Sequence, residues 1–118
     1  MEELQTRRCK PCEGGIDPLS EARIDTLLPQ VPGWQLSADR RGIERRFVFK
    51  GFQRVMAFIN ALAWLSNQQD HHPDFRAGFN YCTVRFTTHA INGLSENDFI
   101  CAARLNALHE HRPREART

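Results

Sequence analysis

Two stretches of β-forming sequence, 34–50 and 74–89, flank a single segment of helical periodicity, and that arrangement constrains the fold most. In the first stretch Trp34-Gln35-Leu36 reads as a short strand, Asp39 to Gly42 as a polar turn, and Ile43 to Lys50 as a second strand with Ile43, Phe47 and Phe49 on one face. In the second, Phe75, Ala77 and Phe79 alternate with polar or small residues, and Asn80-Tyr81 is a candidate turn. Cys82, Val84, Phe86 and Thr88 then alternate with Thr83, Arg85, Thr87 and His89. Strands joined by such short polar connections form hairpins, whereas parallel strands need a long crossover. Between the stretches, from Phe52 to about Asn67, the period changes: Phe52, Val55, Met56, Ile59, Leu62 and Ala63 follow helical spacing, and Phe58 and Leu65 widen that face.

Helices at both ends complete the pattern. Ser20 can cap a short helix with Ile24, Leu27 and Leu28 in a stripe, and Pro29 stops it. Near the other end Ser95 opens a helix in which Ser95-x-x-Asp98 matches a capping box and Ile100, Cys101, Leu105 and Leu108 are the apolar positions. The order α-β-β-α-β-β-α predicts an α+β two-layer sandwich, a four-stranded antiparallel sheet with helices packed on one face. Residues 1–18 read as an irregular leader broken by Pro11, Gly14, Gly15 and Pro18. Residues 19–110 form one domain, and 111–118 a basic tail.

Composition narrows the function classes. A net charge of +2 gives no electrostatic case for nucleic-acid binding, and no run approaches the roughly 18 apolar residues of a membrane span. The polar Met1-Glu2-Glu3-Leu4-Gln5 lacks the character of a secretory signal, so a cytoplasmic location is expected. Cys9-Lys10-Pro11-Cys12 has the C-x-x-C spacing of zinc or redox sites, but the second pair that a structural zinc normally uses is missing. Cys82 and Cys101 fall in patterns that look buried. An exposed, reduced Cys9/Cys12 pair on a mobile arm is the plainer account.

The residues with chemical interest are histidines. His71, His72 and His89 are three of the chain's five and lie within 19 residues. Pro73 pushes His72 out of the helical conformation, so His71 and His72 occupy a helix-to-strand loop. His89 closes the strand that follows the next turn. In a hairpin the end of the second strand lies beside the start of the first, which brings His89 back to His71 and His72 at one shallow site. Spacing leaves three readings open: a metal site, as in a metal-dependent hydrolase; metal-free acid–base catalysis; or polar loop residues with no shared task. Structural capping accounts for Asp98 by itself, and Trp34 reads as core.

The runs Asp70-His71-His72-Pro73-Asp74, Thr87-Thr88-His89 and Gly93-Leu94-Ser95-Glu96-Asn97-Asp98-Phe99, with Pro32-Gly33-Trp34 and Phe49-Lys50-Gly51-Phe52, resemble the pterin-4a-carbinolamine dehydratases. The resemblance covers about residues 19 to 109, and the leader resembles that of many bacterial members. It implies an α+β sandwich that assembles into dimers or tetramers, and a pterin substrate with no metal and no cofactor. The implied reaction removes water from 4a-hydroxytetrahydropterin to give quinonoid dihydropterin, which recycles the pterin of aromatic amino acid hydroxylases such as phenylalanine hydroxylase. On this resemblance His71 and His89 transfer protons and His72 mainly holds the pterin. Asp70, Thr87 and Thr88 line the pterin's polar edge, and Asp98 orients a histidine in addition to capping. A non-catalytic dimerisation cofactor on the same scaffold is the alternative. The sequence departs from the family at Asn67, four positions before the first histidine, where the family often carries a charge. Asn67 can bond an imidazole but cannot raise its pKa by charge, so His71 is expected lower unless Asp70 or Asp98 compensates.

Overall fold

The computed structural model describes residues 3–11 and 16–110; Cys12 and the basic tail at 111–118 lie outside them. The elements are α1 (Glu21–Leu27), β1 (Gln35–Leu36), β2 (Ile43–Val48), α2 (Phe52–Gln69), β3 (Asp74–Ala77), β4 (Tyr81–Phe86) and α3 (Glu96–Glu110), with short 3-10 turns at Leu4–Thr6, Leu28–Gln30 and His89–Ile91. The four strands form one antiparallel sheet in the order β1-β2-β4-β3. The expected α+β architecture is therefore the observed one. Among the described residues no helix is long and apolar enough to cross a membrane.

The register explains the layering. Ile43 pairs with Phe86 and Phe47 with Cys82, so these residues and Val84 point to one face and are buried there. Val55, Phe58, Leu62 and Leu65 of α2 and Phe99, Cys101, Ala102 and Leu105 of α3 complete the core. Phe58 packs its ring 4.6 Å from Phe47 and 5.2 Å from Phe49. Burying side chains of this size removes about 1.5–3 kcal/mol of apolar exposure each, which drives the helices onto the sheet. Trp34 is core as expected, and its indole N–H donates to Asn106 at 2.8 Å, which satisfies a polar atom that burial would otherwise penalise. Ser20 caps α1 by accepting from the Arg23 N–H.

Three local expectations change. The inward stripe of α2 is Val55, Phe58, Leu62, Leu65, Ser66 and Gln69, while Phe52, Met56 and Ala63 are exposed. Two apolar stripes overlap on this helix, and periodicity does not say which one the sheet takes. The β3–β4 turn falls at Phe79-Asn80, because Gly78 N–H donates to the Tyr81 carbonyl and Tyr81 already belongs to β4. The strand carrying Thr87 and His89 stops at Phe86. Thr88 instead exchanges backbone hydrogen bonds with Gly93 across a small loop, and His89 opens the 3-10 turn inside it.

Candidate functional site

The end of α2 sets the position of the first two histidines. Asp70 adopts a left-handed conformation (φ 52°, ψ 43°), its N–H reaches the Asn67 carbonyl, and the His71 N–H donates to the Ser66 carbonyl at 3.1 Å. This is a Schellman stop with Asp where glycine is commonest; Asp is among the few other residues that tolerate the left-handed region. Pro73 then keeps the chain extended into β3. Gln69, just before the stop, is buried, and its side-chain oxygen accepts the Cys9 N–H at 2.9 Å.

His71, His72 and His89 line one cavity of about 270 Å³, together with Asp70, Thr87, Thr88, Ala90, Asn97, Lys10 and Pro11. The histidines thus gather as hairpin geometry requires, although His89 arrives on a 3-10 turn and not on a strand. Their environments differ sharply. The His71 ring is nearly buried, stacks at 13° on Phe86 with centroids 6.0 Å apart, and places Nε2 2.6 Å from Asp98 Oδ1. His72 Nε2 lies 2.9 Å from Asn67 Oδ1 on the exposed side. His89 is 74% exposed and stands 3.8 Å from Asp74.

Asp98 is the organising group. It is fully buried, and each oxygen has work: Oδ1 faces His71, while Oδ2 accepts from the Ser95 N–H at 2.9 Å and from the Thr88 hydroxyl at 2.8 Å. The helix cap and the histidine contact, which the sequence leaves as separate possibilities, are thus served by one carboxylate. Burial pushes the His71 imidazole down, but the hydrogen bond and charge of Asp98, with smaller help from Cys9 and Asp70, outweigh it and hold the imidazole above its ordinary value. Asn67 therefore does not leave His71 low: it contacts His72, and Asp98 supplies the charge. Thr87 and Thr88 are buried, with hydroxyls committed to the Arg41 carbonyl and to Asp98 and Ser95 respectively, so their side chains brace the cavity wall.

Sequence reasoning missed Lys10, Pro11 and Asn97. The leader crosses the site: Lys10 N–H donates to Asn97 Oδ1 at 3.0 Å, and Asn97 Nδ2 returns a bond to the Lys10 carbonyl at 2.6 Å. Arg7 reinforces it with a 2.7 Å ion pair to Glu96 and a carbonyl that accepts from Arg104. Cys9 is consequently half-buried against α3 and not exposed on a mobile arm. These contacts join residues 60 to 97 positions apart, beyond the reach of local patterning. Among the described residues no three His, Cys, Asp or Glu side chains converge as a metal-ligand set.

Comparison with known proteins places this geometry in a family. Residues 17–108 match the family model for pterin 4 alpha carbinolamine dehydratase. A protein of Nitrosomonas eutropha named "putative pterin-4-alpha-carbinolamine dehydratase" is 55% identical over 107 residues, which cover 90% of this chain and 93% of that protein. A protein of the same name from Nitrosospira multiformis is 50% identical over 92% of this chain and 94% of its own length. The crystal structure of a transcriptional coactivator/pterin dehydratase from Brucella melitensis superposes with a TM-score of 0.74 at 33% identity, covering 78% of this chain and 98% of that one. A pterin dehydratase-like protein identified as a RuBisCO assembly factor in the alpha-carboxysome matches with a TM-score of 0.56 at 27% identity, over 64% of this chain and 88% of its own. With its sequence matched over that span and its histidines gathered at one cavity, the chain belongs to the pterin 4 alpha carbinolamine dehydratase family.

Proposed function

We propose that this protein is a hydro-lyase acting on 4a-hydroxytetrahydrobiopterin, with His71, His72 and His89 as its catalytic residues. The observation that carries the reading is the meeting of three imidazoles at one cavity, one of them held by a buried carboxylate. In the reaction the C4a–O bond breaks, the leaving oxygen takes a proton and departs as water, and the N5 proton passes to a base as the C4a=N5 bond forms. One donor and one acceptor that both work near neutral pH are needed, and imidazole is suited to both tasks.

His71 and His89 are the proton-transfer pair. With Nε2 of His71 held by Asp98, Nδ1 is the ring nitrogen left for the substrate, and the stacked Phe86 fixes the ring plane. His89 stands on the open rim with its ring exposed to water. His72, tethered by Asn67, holds the pterin. Asp70, Thr87 and Thr88 line the pterin's polar edge, Thr87 through its backbone because its hydroxyl is engaged with the Arg41 carbonyl. The product is quinonoid dihydropterin, and the reaction serves cytoplasmic recycling of tetrahydrobiopterin for aromatic amino acid hydroxylation, including that by a phenylalanine hydroxylase. Chelator-treated protein is expected to accelerate the decay of 4a-hydroxytetrahydropterin absorbance. His71→Ala or His89→Ala lowers kcat/KM by about 10²–10⁴, the usual worth of a positioned acid or base. Full activity in the double variant would refute the proposal.

The same reading makes the protein a homodimer or homotetramer. α2 turns Phe52, Met56 and Trp64 outward, and β3 is an open sheet edge bearing exposed Phe75. An exposed apolar edge strand is a surface that a second copy can cover. Light scattering is expected to give twice or four times the chain mass, and a monomer would contradict it. These exposed aromatics also support the alternative of a protein-binding, dimerisation-cofactor role. A stable complex with a different protein, together with no pterin turnover, would favour that alternative.

A further inference from the structure

Neither Cys9 nor Cys101 transfers a proton in the chemistry proposed above. Cys9 lies in the leader and Cys101 on the inner face of α3, yet their sulfurs are 3.4 Å apart. Cys101 is fully buried, whereas Cys9 keeps partial access to solvent. The backbone beside Cys9 is held on both sides, by Gln69 at its own N–H and by Asn97 at Lys10. Closing to a disulfide requires the sulfurs to approach from 3.4 Å to about 2.05 Å. The next residues along, Lys10 and Pro11, form a wall of the histidine cavity.

We propose that Cys9 and Cys101 are a thiol-oxidation site, which small-molecule disulfides convert to an intramolecular disulfide that locks the leader onto α3 and fixes that wall. The chemistry is two exchange steps. The Cys9 thiolate attacks one sulfur of a disulfide R–S–S–R, forming a mixed disulfide and releasing one thiolate. Cys101 then gives up its proton and attacks the Cys9 sulfur, releasing the second thiolate and leaving the Cys9–Cys101 bond. The protein pair loses two electrons and two protons, and the small-molecule disulfide is reduced to two thiols. An accessible attacking sulfur backed by a buried resolving one is the arrangement that this sequence of steps needs. Donation from the Cys101 thiol draws the Cys9 thiol below its ordinary value; burial opposes the shift and the charge of His71 favours it. The same contact pushes Cys101 up and burial adds to it; the part due to the charge of Cys9 ends once Cys9 is in a mixed disulfide.

The test is incubation of the full chain with oxidised glutathione, followed by alkylation, digestion without reductant and mass spectrometry. The expected result is a cross-link between the Cys9 and Cys101 peptides and a fall from four alkylatable thiols to two. The cross-link persists in Cys12→Ser and is lost in Cys9→Ser. A cross-link of Cys9 to Cys12, a stable glutathione adduct on Cys9, or four unreacted thiols would each overturn the proposal. The wild-type map decides the matter even if a Cys101 variant does not fold.

Discussion

The cavity is bordered by two histidine–aspartate pairs of the same composition and opposite character. His71 and Asp98 meet at 2.6 Å with side chains 10% and 0% exposed; His89 and Asp74 stand 3.8 Å apart at 74% and 67%. Exposed ion pairs are screened by water and salt and contribute about 0–1 kcal/mol. A buried pair carries a desolvation cost that only close geometry and further hydrogen bonds offset, and Asp98 has both in Ser95 and Thr88. The lesson is that surroundings, not residue type, make one imidazole a buried, fixed group and leave the other open to solvent. A reaction that needs one held proton site and one in contact with solvent is served by that asymmetry.

The largest test of the contrast is Asp98→Asn. It removes the charge opposite His71 and disturbs the cap of α3 and the Thr88 bond, so urea unfolding should show a loss of about 3 kcal/mol, the cost of breaking a buried pair. Asp74→Asn on the exposed side should change stability by less than about 0.5 kcal/mol. Equal losses would erase the distinction.

Next in size is the helix stop that delivers His71. Asp70→Val forces a β-branched residue into the left-handed region and should cost about 1–2 kcal/mol, whereas Asp70→Gly should be neutral or better; thermal melts distinguish them. Smaller again is a pH effect with a defined sign. Because the folded His71 imidazole is held above its unfolded value, the pair's stabilisation is fully present below about pH 6.5 and is lost as pH rises through the folded pKa. Denaturation midpoints should fall across that window in the wild type, and the component due to this pair should be missing in His71→Gln. The smallest effect is expected from salt: a rise from low to molar ionic strength should leave the His71–Asp98 pair intact, and any stability lent by His89–Asp74 should vanish.

The same contrast marks what was legible in the sequence. Period and turn chemistry are local, so the hairpins, the α2 segment and the Ser20 cap could be read directly. The return of His89 to His71 followed from hairpin geometry, but the 3-10 turn carrying it did not, although Asn92-Gly93 signals a left-handed turn there and Asn92 has φ 53°. Asp98 was legible as a cap because its partner is three residues away. Its bond to His71, 27 residues away, depends on how α3 docks. The leader's place over the cavity was least legible, since Cys9, Lys10 and Arg7 find their partners on α2 and α3 and carry no periodic signal.

The most direct test of the account is an NMR titration of the His71 ring in the wild type and in Asp98→Asn. Asp98 as the group that sets His71 predicts a wild-type midpoint above the ordinary value of about 6.5 and a downward shift in the variant. A wild-type midpoint at or below that value, or one that Asp98→Asn leaves unmoved, would contradict it.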